Sequence, residues 1–237
     1  MTLKQKFDGI YVDDSFNDIE FDSLIFDCDG VILQSNKIKT NAFIRSLEGE
    51  PNDLIDQFIT YHKNNGGISR YVKFEYYYRY IKQDRNYKIM AEKAVYHYSK
   101  IVVNKLITAK YVTGVIDIID YFNSNNIPCF VISGGDQNEL NEVFLRRKIN
   151  NNFVEILGSP DTKIQHASTM IKQSKINLPG VLFGDASLDM EIANFLGLDF
   201  VFIHGYSEWS NGYSIVTNNN LPVYRNFKEI MPRKKII

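Results

Sequence analysis

Cysteine is nearly absent from this chain. Cys28 and Cys129 are its only two, and each sits inside an apolar run, where a thiol behaves as a small hydrophobe. A disulfide framework is therefore excluded, and a reducing, cytoplasmic setting is expected. A charge excess is missing as well. Lys and Arg total 27 against 28 Asp and Glu, a net charge of −1, so nothing advertises a polyanionic partner, and no nucleic acid is expected. Long hydrophobic runs are also lacking: no stretch reaches the ~18 apolar residues that span a bilayer. The opening MTLKQKFDGIYVDDSFNDIEF has neither the basic start nor the apolar segment of a secretory signal. Neither a membrane nor export is expected. The four histidines, His62, His97, His166 and His204, show no metal-ligand spacing, which argues against a zinc site. No internal repeat is present.

What the chain does have is apolar content: 44% hydrophobic and 14% aromatic residues over 237 positions, enough for one folded unit with a modest insertion. Four short apolar runs stand out, at Leu24 to Phe26, Cys129 to Ile132, Val181 to Phe183 and Phe200 to Ile203. None alternates between apolar and polar, so each reads as a strand buried on both faces, the mark of a parallel sheet. Between them lie amphipathic helical segments. Thr113 to Asn126 carries Val115, Ile119 and Phe122 on one face, with Thr113 as a candidate N-cap. Asp136 to Lys148, Asp161 to Lys175 and Leu188 to Leu196 follow the same pattern, the last closed by Gly197. The expected fold class is α/β, a Rossmann-like parallel sheet flanked by helices. Residues 35–109 break this alternation. They are Tyr- and Lys-rich and helix-periodic, which predicts a small all-helical unit inserted between residues 1–34 and 110–237. Before Phe21, Ile10-Tyr11-Val12 could add an edge strand. Trp209 and the Tyr76-Tyr77-Tyr78 stretch read as packing residues, and Arg233-Lys234-Lys235 as a solvated tail.

Ligands of open parallel sheets bind at the carboxyl ends of the strands. There the sequence reads Asp27-Cys28-Asp29-Gly30, Ser133-Gly134-Gly135 and Gly184-Asp185-Ala186-Ser187-Leu188-Asp189, with Lys163 opening a helix nearby. In extended backbone, Asp27 and Asp29 share one face while Cys28 points the other way. If a divalent metal and Lys163 hold Asp27 ionised, Asp29 is free to take the protonated role, which separates a nucleophile from a general acid/base. Asp185 offers a second hard oxygen ligand, a set suited to Mg²⁺ with waters and a phosphate oxygen. Gly134, in a glycine turn feeding a helix N-terminus, is placed to cradle phosphate.

Through Phe26-Asp27-Cys28-Asp29-Gly30-Val31, Val131-Ile132-Ser133-Gly134-Gly135, Ser159-Pro160-Asp161-Thr162-Lys163 and Gly184-Asp185-Ala186-Ser187-Leu188-Asp189, the chain resembles the haloacid dehalogenase (HAD) superfamily. All four motifs occur in order, and the helical insertion resembles the cap placed between the first two, as in phosphoglycolate phosphatases and beta-phosphoglucomutases. The resemblance implies that Asp27 attacks phosphorus to form an aspartyl-phosphate. It implies that Asp29 protonates the leaving alcohol and then activates water, while Ser133 and Lys163 hold phosphate oxygens. Mg²⁺ would be held by the Asp27 carboxylate, the Asp29 backbone carbonyl and Asp185, with Asp189 an outer ligand or the orienting partner of Lys163. An acid at Asp29 disfavours halide removal, because a departing halide needs no proton.

In the insertion, the paired Gly66-Gly67 permits a tight loop, followed by Arg70 and Lys73. This resembles a cap loop of HAD phosphatases of sugar-phosphate and surface-glycan metabolism, and both residues are expected to contact an anionic or hydroxyl-rich part of the substrate. The expectation is a Mg²⁺-dependent phosphatase of a small phosphorylated metabolite, a sugar phosphate or glycan precursor. A sugar phosphomutase and a non-catalytic phosphate-binding module are the rivals. The oligomeric state is left open.

Overall fold

A computed structural model describes residues 21–230; the Ile10-Tyr11-Val12 expectation and the basic tail at 233–235 lie outside them. The sheet is six-stranded and wholly parallel. In chain order its strands are β1 (Ser23–Phe26), β2 (Cys129–Asp136), β3 (Glu155–Ser159), β4 (Gly180–Gly184), β5 (Asp199–Ile203) and β6 (Val223–Tyr224). Their spatial order is β3-β2-β1-β4-β5-β6, with parallel pairing throughout.

The continuous apolar runs are explained by burial on both sides. Leu24, Phe26, Val131, Phe183 and Val201 pack into one core, while Ile25, Phe130, Ile132, Leu182 and Phe202 pack into a second on the opposite face. Neighbours along each strand thus serve different layers, and both layers exclude water. Two strands escaped the sequence reading. β3 is an edge strand, half-buried over Glu155 to Leu157, and β6 is only two residues long, so neither presents an apolar run.

The insertion holds four helices: α1 (Asn36–Ser46), α2 (Asn52–Asn64), α3 (Arg70–Tyr76), continued by a wider π turn at Tyr77–Ile81, and α4 (Tyr87–Ile107). Aromatic packing organises them, with Phe43 in contact with Phe58, Phe74 and Tyr98 at centroid distances of 5.4, 5.2 and 4.5 Å. Tyr77 and Tyr78 are buried, and Tyr76 stacks on Tyr61 at 3.7 Å. The entry and exit of the insertion are zipped together by Gln34 N–H to Lys110 C=O and Val112 N–H to Ile32 C=O, both 2.9 Å.

The remaining helices among the described residues are α5 (Val115–Ser124), α6 (Gln137–Arg146), α7 (Lys163–Lys172), α8 (Ser187–Leu196) and α9 (Gly212–Asn218). Their caps refine the expected boundaries. Gly114, in the left-handed region at φ +82°, caps α5 in place of Thr113. The Asp136 side chain caps α6 by accepting from Glu139 N–H. Thr162 and Gln165 form a reciprocal capping box on α7.

Candidate active site

The carboxyl end of β1 turns sharply. Gly30 N–H donates to Leu33 C=O, and Ile32 and Leu33 N–H both donate to Cys28 C=O. Gly30 lies at φ +76°, and a β-carbon there would come within 2.2 Å of Asp185 Oδ2 and 2.6 Å of Asn36 Nδ2. Only glycine admits both that backbone and that approach. Asp27 is thereby set against Asp185 and Asp189 from the β4–α8 segment, with one carboxylate oxygen of each within 4.8 Å of the others. All three are buried.

One lysine serves this cluster. Lys163 Nζ lies 2.7 Å from Asp189 Oδ1 and 2.9 Å from Asp27 Oδ1. The second contact is an ion pair without hydrogen-bond alignment, so Asp27 Oδ1 is buried with no hydrogen-bond partner. Asp189 is fully engaged: its Oδ2 also accepts from the N–H groups of Asp185 and Ala186, each at 3.2 Å. Of the two roles left open for Asp189, the geometry supports the orienting partner of Lys163. Asp185 accepts from Asn36 Nδ2 at 2.5 Å.

Burial pushes the Asp27 carboxyl up to about 7; Asp189 and Asp29 add to the rise, and the Lys163 charge opposes it. Burial likewise drives Asp185 well above the usual carboxylate range, reinforced by Asp27 and Asp189. Three clustered carboxylates with one cation are under-compensated, and a buried charge needs a partner. An orphaned oxygen and an all-oxygen donor set fit a hard divalent cation such as Mg²⁺.

Asp29 lies apart from this cluster. Burial raises its carboxyl, but the Lys39 charge and hydrogen bonds from Lys39 and Ser35 outweigh burial and hold it below the usual range. Ser35 Oγ donates to Asp29 Oδ1 at 2.6 Å and Lys39 Nζ to Oδ2 at 2.5 Å. Its carboxyl is thus lowered where those of Asp27 and Asp185 are raised. The reason is Lys39, a residue the motif does not contain.

The site opens into a cavity of about 70 Å³ walled by Asp27, Asp29, Gly134 and Asp185 from the sheet side and by His62, Arg70 and Lys73 from the insertion. Ser133 is buried at the end of β2, its Oγ accepting from Gly135 N–H at 3.1 Å. Gly134 meets the insertion directly: a β-carbon on it would fall 2.1 Å from the Gly67 carbonyl oxygen. The paired glycines therefore close against the Ser133-Gly134-Gly135 turn.

The two basic residues of the insertion part company. Arg70 was expected to face substrate, yet both terminal nitrogens are taken by Glu139, at 2.8 and 2.5 Å, and its guanidinium lies 4.5 Å from the Tyr98 ring centre. Lys73 Nζ instead lies 2.8 Å from His62 Nδ1. Lys39, Asn36, His62 and Glu208 also border the cavity and escaped the sequence reading. A signal for two of them was available: Asn36 and Lys39 lie one helical turn apart just after the Asp27-Cys28-Asp29 loop. Trp209, read as packing, does pack edge-on against Phe202 at 5.5 Å and also borders the cavity.

The haloacid dehalogenase-like hydrolase family model matches residues 24–203, and the chain belongs to that family. No curated protein sequence matches it. Among solved structures it is similar to a predicted phosphoglycolate phosphatase from Haemophilus somnus 129PT, with TM-score 0.67 and 14% identity over 90% of this chain and 97% of that one. It is similar to a beta-phosphoglucomutase from Clostridium difficile, with TM-score 0.66 and 18% identity over 89% and 93%. The HAD-hydrolase YfnB from Bacillus subtilis, in a structure bound to magnesium, gives TM-score 0.64 and 15% identity over 89% and 97%. At these identities the likeness establishes the fold. Among the described residues, no helix is long and apolar enough to cross a membrane.

Proposed function

We propose that this hydrolase is a Mg²⁺-dependent phosphatase of a small phosphorylated metabolite, with a sugar phosphate or glycan precursor as the substrate class, and that residues 35–109 form its cap. The observation that carries this reading is Asp27, whose Oδ1 is buried, without a hydrogen bond, and 2.9 Å from Lys163 Nζ. An oxygen so placed is paired electrostatically and free to bond.

Asp27 is the nucleophile, and its attack on phosphorus gives an aspartyl-phosphate that divides one high barrier into two lower ones. Asp27 and Asp185, with the Asp29 backbone carbonyl, would hold Mg²⁺. The bound cation supplies charge neutralisation for the phosphoryl oxygens. Lys163 offers a fixed positive charge to the same oxygens, and Asp189 keeps its ammonium from swinging away. Ser133 Oγ, already accepting from Gly135 N–H, retains its own proton to donate to a phosphate oxygen. Asp29 enters the first step protonated and gives that proton to the leaving alkoxide; as the resulting carboxylate it takes one back from the water that attacks the aspartyl-phosphate, while Lys39 and Ser35 fix its orientation. The Gly66-Gly67 loop packs against Gly134 and walls the insertion side of the site.

The test is phosphate release from sugar phosphates, amino-alcohol phosphates and nucleotides with and without Mg²⁺. Metal-dependent release supports the phosphatase. Isomerised sugar phosphate without release identifies the phosphomutase instead, and metal binding without turnover the binding module.

A further inference from the structure

Asn36, the first residue of α1, ties three separate parts of the chain together. Its Nδ2 lies 2.5 Å from Asp185 Oδ2 and 2.9 Å from the Tyr206 carbonyl oxygen. A carboxylate and a carbonyl only accept, so the amide must turn its nitrogen toward both, and that nitrogen has two protons to give. Both are used. The start of the insertion is thereby joined to the segment after β4 and to the segment after β5, 149 and 170 positions away. Gly30 makes the room, since a β-carbon there would strike both Asp185 Oδ2 and Asn36 Nδ2.

Asp185 is engaged at three of its four polar atoms. Its N–H donates to Asp189 Oδ2 at 3.2 Å, and its C=O accepts from Ser207 Oγ at 2.5 Å, a hydroxyl that itself accepts from Trp209 N–H at 3.0 Å. Oδ2 is taken by Asn36. Among the described residues no hydrogen bond reaches Oδ1, so one carboxylate oxygen is held and the other is left for a cation, beside Asp27, whose Oδ1 is likewise without a hydrogen bond. A carboxylate turns readily about its terminal torsion, and an outer hydrogen bond that fixes this torsion raises the affinity of the ligand for its metal. Asn36 is the only side chain among the described residues that donates to the Asp185 carboxylate.

We propose that Asn36 is a positioning residue for the divalent cation, fixing the Asp185 carboxylate with Oδ1 toward the site, and that the insertion thereby completes the metal site of the sheet domain. This rests on the metal-dependent reading above and adds to it a residue outside the four motifs. A natural control lies one turn further along α1. Thr40 Oγ1 donates to Glu208 Oε2 at 2.6 Å, a second tie between α1 and the segment after β5 that does not touch Asp185.

The experiment titrates the metal-free protein with Mg²⁺ in a calorimeter and compares it with Asn36→Leu and Thr40→Val. Leucine matches asparagine in shape and donates nothing. In Asn36→Leu the Mg²⁺ dissociation constant is expected to rise roughly 10- to 100-fold, whereas Thr40→Val should stay close to the intact protein. Melting without metal, followed by circular dichroism, shows that the variants are folded; if Asn36→Leu is not, Asn36→Ala, smaller and a good helix former, takes its place. An equal loss of affinity in the Asn36 and Thr40 variants would reveal general loosening and overturn the proposal. Unchanged affinity in the Asn36 variant also overturns it, and leaves the metal-dependent phosphatase standing. If the intact protein neither gives a binding isotherm nor melts at a higher temperature with Mg²⁺, the proposal and the metal-dependent reading fall together.

Discussion

Arg70 and Glu139 meet as a two-pronged ion pair between α3 of the insertion and α6 beside the sheet, with nitrogen–oxygen distances of 2.8 and 2.5 Å and both side chains buried. Next to it, Tyr71 Oη donates to Asp136 Oδ2 at 2.6 Å. The insertion is therefore fastened to the sheet domain at the same face that carries the candidate site. Removing one partner of a buried pair leaves the other charge uncompensated, at a cost of ~3–5 kcal/mol. Glu139→Ala should destabilise the protein by about that amount in urea unfolding, while Tyr71→Phe, at a more exposed position, should cost far less. Equal stability of Glu139→Ala and the intact protein would show that the pair contributes nothing.

Lys163 and Asp189 make a second prediction. Asp189→Asn keeps the shape but weakens the hold on the ammonium, and Lys163→Met removes the charge from the phosphoryl side. Loss of a preorganised charged donor lowers kcat by roughly 10²–10³-fold. Lys163→Met should show at least that fall, and Asp189→Asn a smaller one with KM little changed. Steady-state kinetics on any hydrolysed ester separates the two.

Gly134 and Gly67 define how closely the insertion can approach. Alanine at 134 would place a methyl 2.1 Å from the Gly67 carbonyl oxygen, a backbone atom that cannot rotate away. Gly134→Ala should therefore hold the Gly66-Gly67 loop off the sheet domain. Limited proteolysis is expected to cut faster near residues 64–69 in this variant, and phosphate release to fall.

Lys73 predicts a dependence of stability on pH. Burial, chiefly, with Lys39 and Lys163 adding and Asp29 and Glu208 opposing, lowers its pKa from the usual 10.5 to about 7. The groups facing it are His62 from α2, Lys39 from α1, Asp29 after β1, Lys163 from α7 and Glu208 after β5. Between about 7 and 10.5 the unfolded chain binds a proton there that the folded one does not, so this residue makes stability rise with pH across that window. Below it both states are protonated and the full burial cost remains. The stability difference between Lys73→Met and the intact protein should therefore narrow as pH rises from 7 to 10. A difference independent of pH would contradict the assignment.

The sheet was legible because β1, β2, β4 and β5 are buried on both faces and so read as unbroken apolar runs, the first three ending at the candidate site residues. Asp27, Asp185, Asp189 and Lys163 converge as their positions at strand and helix ends required. β3 and β6 were not legible, one being a half-buried edge and the other two residues long. His62 and Glu208 were missed for a different reason: His62 meets Thr40 and Lys73 on other helices and Glu208 meets Thr40 from 168 positions away, and periodicity carries no record of such pairings. Arg70 shows the converse, since a basic residue after a glycine loop looks free until Glu139, 69 positions away, is seen to hold it.

As proposed above, Asp27 is the nucleophile of a metal-dependent phosphatase. Its most direct test is phosphate release from the panel of esters, with and without Mg²⁺, by the intact protein and by Asp27→Asn. Release is expected to require Mg²⁺ and to disappear in Asp27→Asn while the fold, followed by circular dichroism, is retained. Release that persists undiminished in Asp27→Asn, or that is indifferent to Mg²⁺, would contradict it.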